Sequence, residues 1–204
     1  MNNEEKEIAP ILPDKPHPGR TAKCICIVGK PGSGKSTVAV ELMKAAGTGL
    51  FLQPQPDNWS ERTLEANITD RKSCNYTGIK HYIYRSDDDF GHIYRNFHNA
   101  MVCMDDCRAY VPANFEYSQV RLFLLRRRQR MLDVIFTAHG FSEIPPKLFT
   151  FITDYIIMPI NDTPEVRKKD ITNPAIYSKL CETVREVNEK GVIDDHFNKW
   201  IRVQ

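Results

Sequence analysis

The sequence predicts an α/β domain in which a mostly parallel central sheet is flanked by helices on both faces. From position 23 onward, short apolar segments alternate with segments of helical periodicity, as they do in chains built from strand–helix–strand units. The apolar segments are continuous, which is typical of strands covered on both faces. A glycine-rich stretch, GKPGSGKS at 29–36, separates the first apolar segment from the first helical one.

Seven apolar segments are predicted to be strands, and the last is expected to close an edge of the sheet. In chain order they are 24–28, 49–53, 78–84, 100–104, 133–138, 154–158 and 198–203. Four segments between them are predicted to be helices. These are Lys35 to about Ala46, a segment after Ser86, about Tyr117 to Arg130, and a C-terminal helix with Ile176, Leu180, Val184 and Val187 on one face.

Length and composition predict one soluble domain over 21–204, and a chain of 204 residues is long enough for one substantial core. Residues 1–20 contain four prolines and few large apolar side chains, so we expect a flexible N-terminal arm. The net charge of +2 gives no overall field that favours nucleic acid, so such a function must rest on a local patch. We expect no membrane span, because no apolar run approaches the ~18 residues required. The first ten residues, MNNEEKEIAP, are polar and acidic, unlike a signal peptide, so we expect a cytoplasmic location.

The glycine-rich stretch matches the Walker A pattern G-x-x-x-x-G-K-[ST] between a predicted strand and a predicted helix. Glycines let the backbone wrap so that its N–H groups and the helix N-terminus cradle phosphate oxygens. Lys35 is expected to reach the β- and γ-phosphates, Ser36 to ligate Mg²⁺, and Thr37 to contact the α-phosphate. The nucleotide-binding residues predicted from the motif are Gly29, Lys30, Pro31, Gly32, Ser33, Gly34, Lys35, Ser36 and Thr37.

Two consecutive carboxylates, Asp105 and Asp106, follow the predicted strand at 100–104. Carboxyl ends of parallel strands meet at one edge of a sheet, so this strand tip is expected beside the phosphate cradle. We interpret Asp105 as a ligand of Mg²⁺ and Asp106 as the base that orients and deprotonates the attacking water. A simpler interpretation, in which one of the two aspartates only caps a turn, stays open.

Polar residues also end the strand at 133–138, where Thr137 is followed closely by His139. A polar side chain at this tip could contact the γ-phosphate or the attacking water, and His139 is our candidate sensor. The alternative for a lone histidine is a structural role.

Arginines crowd the segment just before that strand, in the sequence RLFLLRRRQRML at 121–132. Consecutive residues of a helix point about 100° apart, so these side chains cannot share one task. Some could cap a helix or lie in water. One could act on the nucleotide of a neighbouring subunit, and others could contact DNA phosphates.

The order of these motifs resembles that of the FtsK–HerA superfamily of ring-forming, RecA-like motor ATPases. The resemblance rests on the P-loop, MVCMDD at 101–106, RRRQR at 126–130, DVIFTAH at 133–139 and IPPKLFTFITDYIIMP at 144–159. It covers about 23–160. Within the superfamily, the chain most resembles the genome-packaging ATPases of icosahedral viruses with internal membranes. Zonula-occludens-toxin-like phage assembly ATPases are similar over the same segment.

The resemblance implies a P-loop NTPase that hydrolyses ATP with Mg²⁺ and translocates double-stranded DNA into a preformed capsid. It further implies a homo-oligomeric ring, capsid or virion vertex proteins as partners, and a location in the host cytoplasm or virion. By family position, Arg128 is the first choice for an arginine acting in trans. His139 stands where many members carry glutamine, and Asp106 where many carry glutamate.

Other functions remain open from the residues alone. A small-molecule or nucleotide kinase also carries a P-loop, although its arginines usually come from a lid late in the chain. A GTPase would need an Asn-Lys-x-Asp base reader, and NKW at 198–200 lacks the aspartate, so ATP is preferred. A nucleotide-binding assembly or scaffold protein that hydrolyses little is the non-enzymatic alternative.

Overall fold

A computed structural model of the chain describes residues 21–55, 77–112 and 114–203. Within these ranges seven strands form one sheet in the order β3-β2-β4-β5-β1-β6-β7. The strands are β1 Cys24–Val28, β2 Thr48–Gln53, β3 Gly78–Ile83, β4 Met101–Met104, β5 Asp133–Ala138, β6 Asp154–Ile157 and β7 Lys199–Arg202. All neighbouring strands are parallel except β6 and β7. The predicted α/β fold with a mostly parallel sheet is confirmed, whereas the predicted arm over 1–20 lies outside the described residues.

Four α-helices accompany the sheet in the described part of the chain: α1 Lys35–Ala46, α2 Asp88–Asn96, α3 Gln119–Arg126 and α4 Pro174–Lys190. The bounds of α1 are those predicted. The side chain of Asn173 accepts hydrogen bonds from the backbone N–H groups of Ala175 and Ile176, which caps the start of α4. None of the described helices is long and apolar enough to cross a membrane.

The helix predicted from Tyr117 to Arg130 is shorter than expected. The chain forms a 3₁₀ turn at Phe115–Tyr117, and α3 begins only after Ser118, whose hydroxyl accepts from a backbone N–H of the first turn. The segment Arg127–Arg130 is another 3₁₀ turn, which ends where Met131 adopts a left-handed backbone with φ 54°. An α-helix reaching Arg130 would place Arg126 and Arg130, four apart, on one face, and that expectation is wrong because α3 ends at Arg126.

The core lies on both faces of the sheet, as the continuous apolar strands predict. Cys24, Cys26 and Val28 of β1 belong to the larger apolar cluster, together with residues of α2, α3 and α4. Ile25 and Ile27 belong to the cluster that contains the buried face of α1. Alternate residues of β1 thus bury against different layers, as the period of a strand requires.

The topology brings the site together at one edge of the sheet, which we call the carboxyl edge because the parallel strands end there. The loops after β1, β2, β4 and β5 leave from this edge. The antiparallel β7 starts there, since Lys199 pairs with Ile157 at the end of β6. The turn that precedes β7 therefore joins the same group of loops. The opposite edge, where β5 begins, is the amino edge.

Candidate active site

The loop between β1 and α1 has the backbone that the glycine pattern predicts. Gly32 and Gly34 have φ angles of 80° and 90°, in the left-handed region that favours glycine. A Cβ atom at Gly29 would lie 2.6 Å from Ser33 Oγ and 2.7 Å from Met158 Cβ, so only glycine fits there. The glycines therefore allow the tight wrap that turns backbone N–H groups inward.

The N-terminus of α1 is left available for an anion. Its cap residue Gly34 supplies no side-chain hydrogen bond, and the first turn of α1 carries no acidic residue. The first N–H groups of a helix lack intrahelical partners, and the helix dipole is positive at this end. A phosphate group is the ligand that such a loop and helix end bind best.

Lys35 supplies the positive charge of the loop. Its Nζ donates to the carbonyl oxygens of Gly29 at 2.9 Å and Lys30 at 3.0 Å, so the side chain folds back along the loop. Burial lowers the pKa of Lys35, and the nearby carboxylates of Asp105 and Asp106 oppose that shift. An ammonium group held between a phosphate cradle and two carboxylates is suited to a bound phosphate with its metal ion.

Asp105 joins four elements at the carboxyl edge. Its Oδ1 accepts from Thr137 Oγ1 of β5 at 2.8 Å and from Ser36 Oγ of α1 at 3.4 Å. Its Oδ2 accepts from Gln53 Nε2 of β2 at 3.0 Å. A serine hydroxyl beside a carboxylate provides the hard oxygen ligands that Mg²⁺ prefers next to phosphate. Ser36 and Asp105 therefore fit the predicted metal site.

Asp106 has an unusual backbone and an exposed side chain. It adopts φ 56° and ψ 84°, in the positive-φ region that non-glycine residues rarely occupy. Its backbone N–H donates to Thr137 Oγ1 at 2.8 Å, which holds this conformation. Backbone strain of this kind concentrates at functional sites, where the surrounding structure maintains it. The Asp106 carboxylate, next to the predicted metal ligand Asp105, thus lies in the open cleft, where a water molecule can reach it.

Comparison with solved structures supports the architecture. The structure of the genome packaging NTPase B204 from Sulfolobus turreted icosahedral virus 2 with sulfate matches with a TM-score of 0.67 and 14% identity, over 89% of this chain and 92% of that chain. The same NTPase with ATP-gammaS matches with a TM-score of 0.62 and 15% identity, over 90% of this chain and 93% of that chain. The chain has the fold of a viral genome-packaging NTPase. No family model and no curated protein matches the sequence.

The packaging-NTPase fold that the resemblance implied is therefore confirmed. A structure of B204, described as the DNA-packaging ATPase from Sulfolobus Turreted Icosahedral Virus, also matches, with a TM-score of 0.59 and 14% identity, over 89% of this chain and 92% of that chain. At these identities the likeness concerns the fold, and the roles of individual residues in this chain stay predictions.

Most of the predicted site residues line one cleft of about 450 Å³ in this packaging-NTPase fold. The cleft is lined by Pro31, Gly32, Gly34, Lys35, Ser36, Thr37, Asp105, Asp106, Thr137, His139 and His196. Within the P-loop, the side chains of Lys30 and Ser33 are turned away from it. The Lys30 ammonium pairs with Asp195 at 2.8 Å, and the buried Ser33 hydroxyl contacts Met158 Sδ at 3.9 Å.

Arg128 does not join this cleft. The 3₁₀ turn that carries it lies at the amino edge, where Arg130 O accepts the backbone N–H of Asn99 just before β4. The six residues of β5 separate this turn from Thr137 and His139, and a strand rises roughly 3.3 Å per residue. Arg128 therefore lies roughly 20 Å from the nucleotide cleft of its own subunit.

Arg127, in the middle of the same cluster, is a structural residue. It is buried, and its guanidinium donates to Leu124 O at 2.6 Å and to Phe151 O at 3.5 Å. Burial lowers the pKa of Arg127. Among the other arginines, Arg130 lies over the Tyr94 ring at 5.3 Å, whereas Arg126 and Arg128 are exposed.

Sequence reasoning missed Gln53 and His196. Gln53 is the last residue of a predicted strand, so its polar side chain at a strand tip was a usable signal. His196 and its neighbour Asp195 reach the P-loop only because β7 runs antiparallel to β6. The apolar pattern of an edge strand does not show in which direction the strand runs.

Proposed function

We propose that the protein is a Mg²⁺-dependent ATPase that acts as a homo-oligomeric ring and moves double-stranded DNA into a preformed viral capsid. The observation that carries the proposal is the convergence of Lys35, Ser36, Asp105 and Thr137 at the carboxyl edge. Lys35 supplies the counter-charge for phosphate. Ser36 and Asp105 supply two metal ligands, and Thr137 orients Asp105. Capsid or virion vertex proteins are the partners expected of such a motor.

The residues of the cleft divide the hydrolysis reaction among them. The P-loop N–H groups and Lys35 bind the β- and γ-phosphates. Ser36 and Asp105 would hold Mg²⁺, which would neutralise the negative charge that develops on the phosphates. Asp106 accepts a proton from the water whose oxygen forms a bond to the γ-phosphorus. The bond from that phosphorus to the β–γ bridging oxygen breaks, which releases ADP and inorganic phosphate.

Two observations favour ATP as the nucleotide. The NKW sequence at 198–200 lacks the aspartate of a guanine reader. The similar packaging NTPase has been solved in complex with AMP, AMPPCP and ATP-gammaS. We therefore take adenine nucleotides as the substrate class of this chain.

The position of the arginine cluster supports a ring. Arg126 and Arg128 are exposed at the amino edge, far from the cleft of their own subunit. In a head-to-tail ring, one surface of a subunit faces a different surface of the next. A ring of this kind can place an exposed arginine of one subunit against the nucleotide cleft of its neighbour, where an arginine in trans raises turnover by roughly 10³–10⁵.

Steady-state ATP turnover with and without double-stranded DNA tests the proposed function. We expect Mg²⁺-dependent hydrolysis that rises when DNA is added, and no turnover in Lys35→Ala. Hydrolysis that does not respond to DNA would contradict the motor and favour an assembly role. Phosphoryl transfer to a small acceptor in place of water would favour a kinase.

A further inference from the structure

We propose that the turn at 191–198, between α4 and β7, forms the nucleoside end of the cleft and that the imidazole of His196 stacks on the nucleobase. This inference rests on the proposed function, because it names how the same cleft recognises the non-phosphate part of its nucleotide.

His196 lies against the second half of the P-loop. Its Nδ1 is 3.1 Å from the carbonyl oxygen of Ser33, and a Cβ atom added to Gly34 would be 3.1 Å from that nitrogen and 3.7 Å from Cε1. A carbonyl oxygen can only accept a hydrogen bond, so Nδ1 carries the proton. The bond fixes the ring over Gly34, where any larger residue would crowd it, while the imidazole lines the nucleotide cleft.

A second contact places the same turn. The carboxylate of Asp195 pairs at 2.8 Å with the ammonium of Lys30. Lys30 lies in the P-loop, five residues before Lys35. An exposed ion pair contributes little to folding stability. Its effect here is geometric, because it and the His196 bond attach the turn to two separate points of the loop.

The order of the strands indicates which end of a nucleotide meets His196. The P-loop follows β1, with β5 and β4 on one side and β6 and β7 on the other. The β4 and β5 tips carry Asp105, Asp106 and His139, the groups suited to the metal ion and the γ-phosphate. The nucleoside must therefore leave the cradle towards β6 and β7, and the turn before β7 lies in that direction.

The chemistry of the turn suits a flat aromatic ligand. Aromatic side chains stack on any nucleobase because every base has a π-face. Val192 and Ile193 of the same turn are 86% and 93% exposed, which is unusual for large apolar residues in a compact domain. These apolar side chains would then pack against a base that stacks on His196.

The experiment compares two ligands that share the phosphate chain. Binding of Mg·ATP and of Mg·tripolyphosphate is measured by calorimetry for wild type, His196→Phe and His196→Asn. Asparagine keeps a donor for Ser33 O and loses the ring, whereas phenylalanine keeps an aromatic ring and loses the donor. His92→Ala, a histidine on α2, is the matched control.

We expect His196→Asn to weaken ATP binding on the order of tenfold, the size of one base–aromatic contact, and to leave tripolyphosphate binding unchanged. His196→Phe should bind ATP with nearly wild-type affinity. If His196→Asn binds both ligands equally more weakly, His196 only shapes the P-loop. If it binds both ligands as tightly as wild type, His196 does not contribute to the site. Both outcomes overturn the inference and leave the proposed function intact. The proposed function itself is contradicted if the wild-type protein binds tripolyphosphate but not ATP.

Discussion

The hydroxyl of Thr137 donates to Asp105 Oδ1 at 2.8 Å and accepts the backbone N–H of Asp106 at the same distance. One buried side chain at the tip of β5 therefore orients the predicted metal ligand and holds the strained backbone of the predicted base, which follows β4. The arrangement of these predicted site residues depends on the register of two neighbouring strands, in which Phe136 pairs with Met104.

Thr137→Val should separate this orienting role from packing, because valine has nearly the same shape and lacks the hydroxyl. We expect ATP turnover to fall roughly 10–100-fold, the usual cost of losing a partner of a metal ligand, and the Mg²⁺ requirement to rise. Thr137→Ser restores the hydroxyl and should recover most activity. Turnover measured against Mg²⁺ concentration checks both variants, and equal activity of the valine and serine variants would contradict the role.

Lys35→Ala should abolish turnover. The bound phosphates would lose their main counter-charge in a site from which bulk water is partly excluded, so we expect a loss on the order of 10²–10³-fold or more. Initial rates of phosphate release at saturating ATP measure the effect. Lys44→Ala, at the exposed end of the same helix, is the control, and wild-type hydrolysis by Lys35→Ala would overturn the whole assignment.

The two aspartates should give different defects. Asp106→Asn should retain Mg·ATP binding but hydrolyse on the order of 10²-fold more slowly if its carboxylate is the general base. Asp105→Asn should mainly raise the Mg²⁺ concentration needed for binding. Nucleotide binding and single-turnover rates distinguish these results. If Asp106→Asn turns over normally while Asp105→Asn does not, the base lies elsewhere.

Arg127→Ala should lower stability. Its buried guanidinium satisfies carbonyl oxygens of Leu124 and Phe151, and hydrogen bonds from charged groups are worth about 1.5–3 kcal/mol each. We expect a lower midpoint of thermal unfolding, with Arg126→Ala as the exposed control that changes little. Equal midpoints for the two variants would show that Arg127 is not a structural residue.

The fold and the phosphate cradle could be predicted from the sequence because their signals are local. Short, mainly apolar runs identified most of the strands, and the glycine pattern between β1 and α1 specified the P-loop and its lysine. The contact of Gln53 with Asp105 could not be predicted, because it needs β2 beside β4, an order set by tertiary packing. The bounds of α3 were missed because arginine and leucine favour helix almost equally throughout 121–130, and local propensity does not show where a 3₁₀ turn begins.

The exposed arginines at the amino edge lead to the last prediction, which concerns assembly. Arg128 lies roughly 20 Å from its own cleft, so any action on a nucleotide must be on that of a neighbouring subunit. We expect Arg128→Ala to lose ATP turnover while retaining nucleotide binding. Arg126 is the second candidate because it is exposed, and Arg130 is third because it is held over the Tyr94 ring.

Subunit mixing tests this arrangement. Arg128→Ala protein keeps an intact P-loop, and Lys35→Ala protein keeps an intact arginine, so each should be inactive alone. When the two are titrated together, rings with heterologous interfaces should recover part of the ATPase activity, because an intact P-loop then meets an intact Arg128. Adding Lys35→Ala,Arg128→Ala double-variant subunits in place of the Lys35→Ala protein is the control and should restore nothing.

The dependence of activity on protein concentration gives an independent measurement. A composite site requires assembly, so activity per subunit should fall when dilution dissociates the ring. If no arginine variant loses activity, or if activity per subunit is constant down to concentrations at which the protein is monomeric, the arginine does not act in trans. The exposed arginines would then be a solvated face or a contact for DNA phosphates. A DNA contact is identified if added salt steeply lowers the DNA affinity of the wild type but not that of Arg126→Ala,Arg128→Ala.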